Sequence, residues 1–301
     1  MLARPLHPAP IAVRWQAFAL TWTLLAVQVV ASYQSNWRAE HWFAVQLLVG
    51  WAWLAVVLGA AGLRQLANRR ALAVLGTTAV AITAFWYGGR IDTWQAHLEP
   101  LLPTTGWARP VWAFAFFSAA AALFRMAVPA LVAYRLRLPL REIGWSRGDR
   151  QAKVWPVYVA LYLAVLPFVI HAAGTPAFQA KYPMARALIT PDHHIAVAQF
   201  VAYQLLYLLV FVSGECFWRG WICFGLRRDL GPYAILVMLV PYVCAHWGKP
   251  LGETLGAIAA GSVLGWLALA HRSVWLGAAL HYAVALTMDL VAMWHAGIAL
   301  Q

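Results

Sequence analysis

The sequence predicts an all-α fold, a polytopic transmembrane helical bundle of about eight or nine spans. Three observations carry this reading. Of the 301 residues, 63% are hydrophobic and only 11% charged, whereas soluble domains average about 45–50% apolar and about 25% charged. Several apolar runs exceed the ~18 residues that mark a membrane-spanning helix. No run alternates with period two, and only helices or closed barrels satisfy their backbone in lipid.

The apolar segments cover roughly 12–32, 42–63, 71–88, 110–134, 154–173, 195–213, 232–247, 254–270 and 274–299. The first follows Arg14 and lacks a small-residue cleavage site, so it reads as a retained signal-anchor helix. Trp15, Trp37, Trp42, Trp107, Trp155 and Trp275 flank the runs, as an interfacial aromatic belt does. Arg64, Arg69 and Arg70 separate the second run from the third. Arg135, Arg137, Arg141, Arg147, Arg150 and Lys153, against Glu142 and Asp149, separate the fourth from the fifth. Segment 195–226 is apolar but for Glu215 and Arg219 and is too long for one straight span at about 1.5 Å per residue. A tilted span leading into a second, interfacial helix is expected there. The later stretch carries two small-residue registers, Gly252–Gly256–Ala260 and Ala257–Gly261–Gly265, which predict close helix packing.

The 22 basic and 10 acidic residues give a net charge of +12. The basic residues sit between apolar runs in alternate connections, which is a topology pattern, and no nucleic-acid partner is expected. The connections with Arg38 and Glu40, and with Arg90, Asp92, Glu99 and Arg109, are nearly balanced. The positive-inside rule then places Arg4, Arg14 and the N-terminus in the cytoplasm, and a bacterial cytoplasmic membrane fits best. Cys216, Cys223 and Cys244 are odd in number and lie in apolar sequence, so buried free thiols are expected. Residues 1–134 form N-terminal transmembrane helices without a readable motif, and 135–301 a second, membrane-embedded core.

Ionisable groups inside membrane segments cost about 2.5–3.5 kcal/mol on insertion scales, so each one needs a reason. Those present are Arg125, Glu215, Arg219, His246, Glu253, His281, Asp289 and His295. Glu215 and Arg219 share a helical face; the pair either neutralises itself or orients a carboxylate for chemistry. His246 and His281 are each read as a packed helix contact or as an acid, base, donor or ligand. Asp289 follows His281 by about two turns and either orients an interior group or approaches the membrane surface. Glu253 reads as interfacial and paired with Lys249. Arg125 snorkels or pairs among the N-terminal helices and suggests no chemistry.

Three short patterns follow in order: Gly214-Glu215-Cys216-Phe217-Trp218-Arg219 with Gly220, then Tyr242-Val243-Cys244-Ala245-His246, then His281-Tyr282-Ala283-Val284-Ala285. With these, residues 135–290 resemble the CAAX protease and bacteriocin-processing (CPBP) family of intramembrane proteases. That family carries Glu-Glu-x-x-x-Arg, Phe-x-x-x-His and His-x-x-x-Asn/Asp. Leu140–Trp145, Gly248-Lys249-Pro250 and Ser273-Val274-Trp275 also look like the family. The resemblance implies peptide hydrolysis near the membrane, with a Glu activating water and His residues positioning it and stabilising the oxyanion. Carried over, the catalytic set is Glu215, Arg219, His246 and His281. The chain departs from the family at Gly214, which replaces the first Glu, and at Ala285, which replaces the Asn or Asp. Asp289 lies too far along the helix for a direct replacement.

Two functional readings follow. One is an intramembrane endopeptidase acting on a membrane-anchored protein or peptide through Glu/His-activated water. The other is a catalytically silent relative that serves as a membrane immunity, scaffolding or partner-binding protein. No cofactor is expected; zinc on a Glu/His/His set is the other option, although the H-E-x-x-H spacing is missing. A transporter would show inverted repeats or paired broken helices, and neither is visible.

Overall fold

Helices dominate because long apolar stretches must close their own backbone hydrogen bonds in lipid. The computed structural model describes residues 13–35, 41–61, 68–102, 106, 109–146 and 151–301, the side chains of 151–153 excepted. Arg4, Trp37, Arg38, Glu40, Arg64, Trp107, Arg147, Asp149 and Arg150, and the side chain of Lys153, lie outside the described residues.

The first helices are α1 (Trp15–Gln34), α2 (Phe43–Ala60), α3 (Arg69–Gly88) and the short α4 (Ile91–His97). Next come α5 (Arg109–Ala122), a π-helical turn at Leu123–Ala127, and α6 (Val128–Arg135), which together form one continuous 27-residue stretch. The second half contains α7 (Gln151–Ala173), α8 (Pro176–Lys181), α9 (Val197–Glu215), a π-helical segment Cys216–Phe224, α10 (Gly225–Leu230), α11 (Ala234–Cys244), α12 (Leu251–His271) and α13 (Trp275–His295). Among the described residues, eight stretches are long and apolar enough to cross a membrane. One of these, Val197–Cys244, is 48 residues long and holds two of the nine apolar segments read from the sequence. It reverses near Gly231, whose φ is +55°, so that α11 packs back against the π-helical segment. Val56, Val80, Phe168 and Leu205 stand exposed on the outside, where lipid tails replace water as their solvent. Trp15, Trp42 and Trp155 are exposed at helix starts, as a belt requires. The protein is an integral membrane protein.

The expected interfacial helix after residue 213 does not form. The chain continues as a helix through Phe224, and every residue of Cys216–Phe224 is buried. The extra length is absorbed by π-helical widening, which shifts backbone carbonyls out of register with their usual donors. One of them, the Cys216 carbonyl, accepts a hydrogen bond of 3.0 Å from Trp145 Nε1. That indole seats the Leu140–Trp145 loop on the helix. It approaches so closely that a Cβ at Gly220 would lie 2.6 Å from Trp145 Nε1 and 2.8 Å from the Ile143 carbonyl. Trp275 Nε1 in turn donates to the Trp145 carbonyl at 3.1 Å and ties α13 to the same loop.

The two small-residue registers of α12 part company. Cβ positions at Gly261 and Gly265 would meet Leu239, Tyr242 and Ile235 of α11, so this face packs tightly. Gly252 and Gly256 face open space. Because α12 can bury only one of the two faces against α11, the pattern alone could not choose between them.

A large apolar core runs through both halves, from Phe18, Leu47 and Ile82 to Trp221, Leu239 and Ala285. Two residues near the C-terminus, Ala299–Leu300, pair in parallel with His194–Ile195 and close the bundle beside the start of α9.

Candidate functional site

The polar centre is built by four helical elements. The end of α9 and the following π-helical segment supply Gly214, Glu215, Trp218 and Arg219; the turn after α11 supplies His246; α13 supplies His281. Glu215 is 1% exposed and Arg219 fully buried. Arg219 Nη1 donates to Glu215 Oε1, so the sequence-predicted pair forms. The Arg219 guanidinium also lies 4.5 Å above the Tyr242 ring, a cation–π contact strengthened by the absence of water.

The same Oε1 accepts a second hydrogen bond, from His281 Nδ1 at 3.0 Å. This bond fixes the tautomer: with Nδ1 protonated, the neutral ring keeps its lone pair on Nε2. His246 is oriented likewise, its Nδ1 donating to the Tyr242 carbonyl at 2.8 Å. The turn bearing His246 is held by Thr254 Oγ1 on the His246 carbonyl at 2.9 Å and by Tyr33 OH on the Lys249 carbonyl at 2.6 Å. Burial, with Lys249 nearby, pushes His246 well below the usual imidazole range.

His246 and His281 both line a cavity of about 290 Å³ that also touches Gly214, Trp218 and Tyr242. Glu215 does not border it. Its carboxylate turns toward α13, where Oε2 lies 3.2 Å from the Cβ position of Gly277. The cavity therefore faces position 214, one residue and about 100° around the helix from Glu215. Glu215 reaches it through His281.

The other ionisable groups separate cleanly. Asp289 is fully buried within the bundle. It accepts from the Met184 backbone N–H at 2.7 Å, from Tyr203 OH at 2.7 Å and from Gln204 Nε2 at 3.3 Å, and so fastens the 182–188 connection to α9. It does not take the place that Ala285 leaves without a polar group. Glu253 pairs with Lys249 at 2.6 Å, as expected, and also accepts from Tyr182 OH. Burial first, then Glu253, holds that phenol well above its ordinary value. His295 is exposed at the end of α13, away from the centre. The three cysteines are buried and free.

Arg125 is a residue whose surroundings the sequence did not disclose. It is buried at the π-helical turn of Leu123–Ala127, with its guanidinium 4.7 Å above the Phe85 ring, and it lines the cavity. Its place in a membrane segment marked it; only the packing of α5 against α9, and of α3 against the π-helical turn, shows what it faces. Among the described residues, no three His, Cys, Asp or Glu side chains are grouped as metal ligands.

These features define a membrane-embedded helical protein whose buried Glu–Arg pair orients a histidine into a shared two-histidine cavity. Residues 196–287, just under a third of the chain, match the family model described as Type II CAAX prenyl endopeptidase Rce1-like. All three recognised motifs fall inside that stretch, so the resemblance to CAAX-type intramembrane proteases holds where the cavity is built. No curated protein and no solved structure matches the chain.

Proposed function

We propose that the protein is an intramembrane endopeptidase that hydrolyses a peptide bond of a membrane-anchored protein or peptide. The observation that carries the proposal is the Glu215–His281 hydrogen bond with His281 and His246 on one cavity. In this scheme His281 Nε2 accepts a proton from water as the oxygen adds to the peptide carbonyl carbon. Glu215 keeps the Nδ1 proton in place and stabilises the imidazolium that forms, a division of labour known from carboxylate–histidine pairs elsewhere. Arg219 holds the Glu215 carboxyl group aimed at His281. His246, neutral with its lone pair on Nε2, accepts a hydrogen bond from the water and orients it. The proton then passes from His281 to the leaving nitrogen as the C–N bond breaks. The scheme uses water alone and no cofactor.

The general-base role thus moves from the position occupied by Gly214 to His281. Absence of a base at 214 and the buried state of Glu215 favour a second reading, a partner-binding relative without hydrolysis. Purified protein in detergent or liposomes, assayed on membrane-anchored fluorogenic peptides, separates the two. Cleavage that falls by roughly 10²–10⁴ in kcat in both His281→Gln and Glu215→Gln supports the hydrolase. Peptide binding without cleavage by wild type supports the second reading, and cleavage that survives in both variants overturns the roles given to His281 and Glu215. The positive-inside pattern favours a bacterial inner membrane with the N-terminus cytoplasmic.

A further inference from the structure

A charged guanidinium deep in a membrane bundle normally has an acid beside it. Among the described residues Arg125 has none: it is 7% exposed, and its Nε and Nη2 are buried without a hydrogen-bond partner there. The remaining nitrogen, Nη1, points toward Gly214. A Cβ built on Gly214 would lie 3.5 Å from Arg125 Nη1 and 3.4 Å from Trp218 Nε1. Two N–H donors, one of them charged, thus converge on one spot where the chain itself places no side chain. That spot borders the cavity, whose lining carries Arg90, Lys181 and Lys249 as well as Arg125, against Asp92 as its acid.

We infer that this spot is an oxyanion-binding subsite in which Arg125 Nη1 and Trp218 Nε1 hold a carboxylate of the bound peptide. Arg presents N–H donors in a fixed fork matched to a carboxylate, and the indole adds a neutral donor. Depth selects the peptide over a phospholipid. Arg125 lies about 24 Å along the helix from Arg109 and about 15 Å from Arg135, whereas lipid phosphates stay at the surface of a hydrocarbon core about 30 Å thick. Within the peptide, the carboxylate is either the C-terminus or an acidic side chain. The inference rests on the proposed function only in taking the ligand to be a peptide substrate.

The test is equilibrium binding of a labelled membrane-anchored peptide to the full-length protein, apart from any cleavage assay. Four forms of the peptide are compared: C-terminal acid or amide, each with Asp or Asn near its end. Wild type is expected to bind one carboxylate form about tenfold or more tighter than its neutral counterpart, since a hydrogen bond to a charged group supplies that much. The acid/amide and Asp/Asn comparisons tell which carboxylate is used. Arg125→Gln should erase the preference. Gly214→Glu should erase it as well, because the new carboxylate has room and pairs with Arg125 in place of the ligand. This second variant keeps the guanidinium, so it speaks even if R125Q misfolds, and Trp218→Phe should weaken the preference while leaving the charge. Equal binding of all four peptides by folded wild type overturns the inference. So does a preference that persists in G214E, or an anionic phospholipid that copurifies with wild type but not with R125Q. Binding with the expected preference but no cleavage leaves the subsite standing and sinks the hydrolase reading. Cleavage without any preference does the reverse.

Discussion

Glu215 gathers Arg219 and His281 on one buried oxygen, so its removal harms more than one partner. Glu215→Ala leaves a buried guanidinium without its counter-charge, and breaking such a pair costs roughly 3–5 kcal/mol. The expected outcome is a much lower thermal midpoint in detergent, whereas the isosteric Glu215→Gln retains an oxygen for Arg219 and loses less. Comparing the two melting curves checks this, and an equal loss in both would show that the charge, which both variants remove, holds the site rather than the oxygen that Gln retains. His246 makes a second, pH-dependent prediction. Burial depresses its pKa below the ordinary value of about 6.5. Below about pH 6.5 the unfolded chain therefore takes up a proton that the folded chain refuses. Its contribution to stability is complete above that pH and is lost as pH falls toward the folded value. Wild type should lose more thermal stability between about pH 7 and about pH 5 than His246→Gln does, measured side by side.

At the scale of elements, the π-helical segment Cys216–Phe224 and the tight α11–α12 face set the site's geometry. Gly261 touches Leu239 and Tyr242, and Tyr242 carries the carbonyl that orients His246 and the ring beneath Arg219. Gly261→Ala forces a Cβ to within 2.6 Å of a Leu239 methyl and 2.9 Å of the Tyr242 ring. Overpacking of this kind costs about 1–3 kcal/mol, and here it should also lower any cleavage activity. Gly256→Ala, on the open face of the same helix, should leave both unchanged or slightly raise stability, since Ala is the better helix former. Parallel measurement of melting and activity distinguishes them. Equal effects would mean that α12 does not pack on α11 as described. The sequence spelled out both small-residue registers. It could not say which one is buried, because both satisfy the same spacing and only the neighbouring helix breaks the tie.

For the whole molecule, Asp92 on α4, Lys181 at the end of α8 and Lys249 in the turn before α12 line the cavity near one end of the bundle, together with Arg125, Gly214 and His281. Arg70, Arg227 and Arg228 gather with Glu142 and Asp229 at the other end of the bundle, where Arg70 Nε donates to the Gly225 carbonyl at 2.9 Å. By the positive-inside rule we propose that this basic end faces the cytoplasm, with Asp92, Lys181 and Lys249 toward the opposite side. Single cysteines introduced into a cysteine-free background test it. A cysteine replacing Asp192 should react with an impermeant thiol reagent in intact cells, and one replacing Arg228 only after lysis; the opposite pattern would invert the topology. Residues 1–134, which carry no readable motif, contribute Tyr33 to the His246 turn and Phe85 and Arg125 to the cavity wall. Their part in the site is structural as well as electrostatic, and no spacing along the chain announces it.

The sequence by itself determined that this is an α-helical membrane protein, which residues carry charge into the bilayer, and that 214–219, 242–246 and 281–285 form one protease-like set. Composition and local spacing suffice for the first two, because the bilayer admits few backbone solutions, whereas the protease-like set rests on the resemblance to the family's short motifs. Tertiary structure alone decided that Glu215 faces His281 rather than the cavity, that Asp289 serves the Met184 backbone and Tyr203, and that Arg125 meets the space beside Gly214. Each of those facts is a distance between helices remote in sequence. Such distances follow from how the helices rotate and pack, which the local pattern of one helix does not encode.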